Sequence, residues 1–159
     1  MIGCYAHRWA LWVKHAHEVY DELIQAINEV MKELRNLLGA SALEKIQQQN
    51  NRPQLVAKIR NQTRWSSVDE MVDRFNEIRP DISLIELPDV VKLMEILEDV
   101  EKRTISVSNL AAKIRPFASV TKALQDRKLT IFDAQTLFDC IVWWNYLIIY
   151  TNALNFIDF

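Results

Sequence analysis

Glycine is almost missing from this chain: its 159 residues include two, Gly3 and Gly39. A phosphate-cradling loop needs several glycines close together, so that class of nucleotide site is excluded. Proline is also scarce, at four residues. A β-rich chain of this length needs more turn residues than these, so the scarcity points to helices. The two cysteines, Cys4 and Cys140, have no framework spacing, and a reducing compartment is the expectation. The formal net charge of −2 gives no general field for a polyanion, so any nucleic-acid contact must come from a local patch. No secretory leader is evident, because "MIGCYAHRWALWV" places His7 and Arg8 inside its apolar run. A nuclear or cytoplasmic location is expected. No Ser-His-Asp order, reactive-cysteine signature, internal repeat or low-complexity tract occurs, and no cofactor is expected.

Half of the residues are apolar and a quarter are charged, which suits a globular domain able to bury a core. The apolar periodicity predicts a first helix from about Trp9 to Leu38, with Val19, Leu23, Ala26, Ile27, Val30, Leu34 and Leu37 on one stripe. Gly39 reads as its stop, and Ser41 with Glu44 as the cap of a short second helix. "QQQNNRPQ" reads as a loop, since Pro53 disfavours helix at Arg52. Leu55 to Arg60 reads as a short helix or a strand. A helix beginning at Ser66 or Ser67 carries Val68, Met71, Val72, Phe75 and Ile78 inward, and Pro80 bends or ends it. Pro88 suits the first position of the next helix, with Val90, Leu93, Met94, Leu97 and Val100 as its stripe. "TISVSN" interrupts; a further helix runs from about Ser108 to Lys128, and Thr130 with Asp133 caps a last one. The expected fold is all-α, an irregular helical bundle over residues 1–139 followed by an apolar tail, 140–159.

That tail, "CIVWWNYLIIYTNALNF", has no charge and is near the minimum length of a membrane span. Asn145, Thr151, Asn152 and Asn155 interrupt it, so a buried terminal helix is expected over a membrane anchor.

Cys4, His7, His15 and His17 are potential zinc ligands close together in sequence. On a helix His15 lies about 12 Å beyond His7, whereas zinc holds its ligands at about 2 Å. No metal site is expected. Glu95, Glu98, Asp99 and Glu101 lie opposite an apolar stripe and read as a solvated face rather than a catalytic pair.

The stretch "NQTRWSSVDEMVDRF", Asn61 to Phe75, closes a basic run. Arg52, Lys58, Arg60 and Arg64 occur with no acid among them, and Trp65 follows. Such a run can neutralise phosphates, and an exposed indole can stack on an unpaired base. Taken alone, these residues favour a solvated loop whose Trp65 is buried against the following helix.

Two motifs in order add to that reading. "IGCYAHRWALWV" resembles the Cys-x-x-His segment of hAT-superfamily DNA transposases, with Cys4 and His7 at the motif positions. "NQTRWSSVDEMVDRF" resembles the Arg-Trp motif of the same superfamily, with Arg64 and Trp65 matching, and "SVTKALQDRKLTIFDAQTLFD" resembles the region that follows. The resemblance implies the helical insertion domain of such a transposase, with Arg64 and Trp65, and beside them Arg60, Lys58 and Arg52, as DNA-contact candidates. In that superfamily two Asp and one Glu in an RNase H-like core hold two metals for phosphoryl transfer. The stretches that would carry those acids are not recognisable here. The resemblance therefore implies a truncated, catalytically incomplete fragment with no catalytic residues. DNA, an intact transposase chain or a second copy of this chain are the implied partners; a membrane is not.

Overall fold

The computed structural model describes residues 18–61 and 66–123, together with Thr130, Phe132, Asp133, Thr136 and Asp139. Among them there are five α-helices and no strand, so the fold is all-α. A 3-10 turn, Glu18–Tyr20, leads into α1 (Asp21–Glu33). Then come α2 (Leu37–Gln49), α3 (Ser66–Ile82), α4 (Pro88–Arg103) and α5 (Val107–Ala123).

The core is one cluster. α1 supplies Leu23, Ile24, Ile27, Val30 and Met31, and α3 supplies Met71, Val72, Phe75, Ile78 and Ile82. α4 adds Val90, Leu97 and Val100, and α5 adds Val107, Leu110, Ala111 and Ile114. Each fully buried side chain of this kind is worth about 1.5–3 kcal/mol relative to exposure. The packing order does not follow the chain. α4 lies mainly on α1, α5 mainly on α3, and α1 and α3 meet in the middle, with α2 against α3.

The predicted first helix is corrected. It stops at Glu33, where the chain tightens through Arg35 N–H to Lys32 C=O (3.0 Å) and Asn36 N–H to Glu33 C=O (3.1 Å). The break resets the phase, so Leu34 stays buried while Leu37 and the preceding Val19 are exposed. Gly39 is no stop. It sits inside α2, where an added Cβ would lie 2.3 Å from the Glu33 carbonyl oxygen and 2.9 Å from Leu34 Cα. The glycine is there because two backbones meet, not because the chain turns left-handed. Nor does Ser41 start α2, which begins four residues earlier.

The left-handed residue is Asn51, with φ of 51°. It closes α2 in a Schellman arrangement: Arg52 N–H bonds to Gln47 C=O (2.9 Å) and Asn51 N–H to Gln48 C=O (3.2 Å). Pro53 follows and prevents continuation.

The loop expected over "QQQNNRPQ" is corrected in part, since Gln47, Gln48 and Gln49 complete α2; several other expectations stand. α3 begins at Ser66 and buries all of Val68, Met71, Val72, Phe75 and Ile78. Pro80 does not end α3, which continues to Ile82. Pro88 occupies the start of α4. Thr130 and Asp133 form the expected reciprocal cap: Asp133 N–H donates to Thr130 Oγ1 (3.2 Å), and Thr130 N–H to Asp133 Oδ2 (2.9 Å). The Thr130 hydroxyl, which donates to Asp133 Oδ2 (2.6 Å), and then the Thr130 N–H hold the Asp133 carboxyl below its ordinary pKa.

Candidate interaction surface

Between α2 and α3 the chain from Arg52 to Arg60 forms neither a helix nor an assigned strand, so both readings of Leu55–Arg60 are corrected. The exchange of both Leu55 main-chain groups with Gln47 and the alternating exposure at 55–58 suit an extended course. Arg52 pairs with Asp81 (2.9 Å) and Lys58 with Glu70 (3.2 Å). Those acids lie three turns apart on α3, about 16 Å. An extended course of the intervening residues, at about 3.3 Å each, covers that distance.

Buried side chains of the helices hold this segment where a neighbouring strand would. Gln47, 1% exposed, accepts the Leu55 N–H at Oε1 (3.0 Å) and donates from Nε2 to the Leu55 C=O (3.3 Å). One residue thus exchanges both main-chain groups with one partner, as in a narrow antiparallel pair. Asn28, buried in α1, accepts the Arg60 N–H at Oδ1 (3.1 Å). Ser67 Oγ accepts the Asn61 N–H (2.7 Å) and donates to the Asn61 C=O (3.1 Å). The sequence reading missed Asn28 and Gln47 as functional positions. Their signal was a polar side chain on an otherwise apolar helix face.

The side chains along the segment alternate. Ala57 is buried and Leu55 half-buried, whereas Val56 and Lys58 are exposed, Val56 by 66%. Ile59 departs from the alternation and is also exposed. Leu37 and Leu38 on the first turn of α2 are further exposed apolar side chains.

The basic run presents little free charge. Each cation of the run that lies among the described residues has an acid from its own chain: Arg52 has Asp81, Lys58 has Glu70, and Arg60 has Asp21 at 3.3 Å. Asp81 is 2% exposed, so Arg52 answers a buried carboxylate that would otherwise be unpaired. Arg64, Trp65, Cys4 and His7, and the tail 140–159, lie outside the described residues.

At the start of α3, Asp69 Oδ1 is buried without a hydrogen-bond partner. Burial, then repulsion from Asp73, hold its carboxyl above the ordinary pKa against the pull of Arg115. Across the molecule, Arg79 on α3 grips Glu101 on α4 through two parallel bonds of 3.0 and 2.6 Å. Glu101 Oε1 also accepts the Val107 N–H (2.8 Å), which satisfies the start of α5. Burial pushes the Glu101 carboxyl up. The Arg79 and Val107 hydrogen bonds and the guanidinium charge outweigh it, so the pKa lies below the ordinary value. Glu101 is thus a corner piece and not part of the solvated face the sequence suggested. Glu95, Glu98 and Asp99 do face solvent.

Among the described residues, no three of His, Cys, Asp and Glu gather in a way that could hold a metal ion, and no helix is long and apolar enough to cross a membrane. Compared with protein-family models, with curated proteins and with solved structures, the chain gives no significant match.

Proposed function

We propose that this chain is a helical protein-interaction module without catalytic activity, one that associates with a second copy of itself. On the resemblance of its motifs, it descends from the insertion domain of a hAT-like transposase, and an intact transposase chain is a further partner of the same kind. The observation that carries the reading is the contrast along residues 52–60. The cations there are answered by acids of the same chain, while the apolar Val56 and Ile59 beside them are exposed. Neutralised charge is poor material for a phosphate backbone. Exposed apolar residues beside an extended chain are good material for a protein partner. Light scattering across a concentration series tests this. The mass rises toward that of a dimer and falls back on dilution; a monomer mass at every concentration contradicts self-association.

DNA contact through Arg64 and Trp65 is the second reading. What favours it is the start of α3 at Ser66, which sets both residues immediately before a helix N-terminus, where main-chain N–H groups suit an anion. It requires salt-sensitive binding to a distorted duplex that weakens about tenfold or more in Trp65→Ala, the usual scale of a stacking contact. Binding that is indifferent to the substitution removes this reading.

A further inference from the structure

The segment from Arg52 to Arg60 has the properties of a sheet edge in a molecule with no sheet among its described residues. In an extended chain the N–H and C=O of successive residues point to opposite edges. On one edge, Gln47 takes both groups of Leu55 and Ser67 takes both groups of Asn61. On the other edge, Asn28 takes the Arg60 N–H. Val56 and Lys58 belong to that second edge. No hydrogen bond within the described residues takes up the main-chain N–H or C=O of either. Both residues are exposed, and Val56 is β-branched, which suits a strand.

We propose that this edge pairs with the same edge of a second copy, in antiparallel register about a two-fold axis at Ala57. Ala57 then lies opposite Ala57, and Val56 opposite Lys58 of the other copy. The Val56 and Lys58 main-chain groups of both copies are all satisfied in this register. It places no like charges directly across from each other: the Lys58 stem meets Val56, and Arg60 meets Gln54. Lys58 and Arg60 bring their own counter-charges, Glu70 and Asp21, so the two edges approach without net repulsion. A foreign acidic strand would have to displace those acids, which is why a second copy is the better occupant. The proposal rests on the self-association reading and specifies its contact.

Val56→Pro is the discriminating variant. Proline removes the outward N–H, and Val56 has neither a main-chain bond nor a buried side chain to lose. The helical circular dichroism and melting temperature stay as in the unmodified chain, while the dimer dissociation constant rises by about tenfold or more. In the unmodified chain, amide exchange at Val56 and Lys58 slows as concentration is raised. A dimer unaffected by Val56→Pro, with those two amides unprotected, overturns this contact and leaves self-association standing. A chain that is monomeric throughout overturns both.

Discussion

Glu101 shows how much one side chain can settle. It binds Arg79 of α3 and the first N–H of α5 while standing on α4, so three helices meet at one carboxylate. Arg79 also lies 5.7 Å from the Phe75 ring centroid, which directs the guanidinium. Glu101→Gln keeps the size and removes the charge, leaving a half-buried Arg79 without its counter-ion. The expected loss is about 2 kcal/mol of unfolding free energy at neutral pH, the scale of charge-assisted hydrogen bonds. The folded pKa is lowered. The Glu101 contribution is therefore fully present above the ordinary value of 4.5 and is lost as pH falls through the folded value. Denaturant titrations at neutral and acid pH check this: the gap between the two proteins closes on acidification. A gap that persists below the folded pKa contradicts it. The sequence showed Glu101 only as an acid opposite an apolar stripe, because a partner 22 positions away leaves no trace in local periodicity. Asn28 and Gln47 were legible in principle, since each puts an amide on an apolar face, and a buried amide must find a partner.

At the scale of the element, residues with a local mechanism were readable and those with a remote one were not. The Pro88 start and the Thr130–Asp133 cap follow from chemistry within one turn. Gly39 does not. Its local reading was a helix stop, yet it answers to Glu33 across the α1–α2 corner. Gly39→Ala separates the two readings. In an ordinary helix interior alanine gains about 0.8–1 kcal/mol over glycine. Here the new methyl meets main-chain atoms that cannot swing away, a cost of about 1–3 kcal/mol. The expected net effect is destabilisation, measured as a lower denaturation midpoint with unchanged slope. A stabilised variant would show that the corner opens freely. The Arg52–Arg60 segment was ambiguous for a similar reason. Its alternation reads as a strand, but its hydrogen-bond partners among the described residues are side chains of helices.

For the whole molecule, composition carried the fold class: few glycines and prolines and strong helical stripes gave an all-α body, which the structure has. The order of packing was not legible. α4 joins α5 through Thr104, Ile105 and Ser106, yet each packs mainly on another helix. Long-range ion pairs such as Arg103–Glu22 (3.2 Å) and Arg115–Asp73 (3.0 Å) accompany that arrangement. The basic run was a DNA-contact candidate only through the family resemblance; its acids lie elsewhere in the chain, on α1 and α3. Folding brings them alongside Arg52, Lys58 and Arg60. That pairing is the ground on which we propose protein, rather than DNA, as the partner. The direct measurement is sedimentation of the labelled chain at low salt, in the presence of either excess unlabelled chain or a distorted DNA duplex. Self-association predicts a shift to the dimer with added chain and no shift with DNA. A chain that stays monomeric with its own copies, and sediments with the duplex in a salt-dependent way, would contradict it.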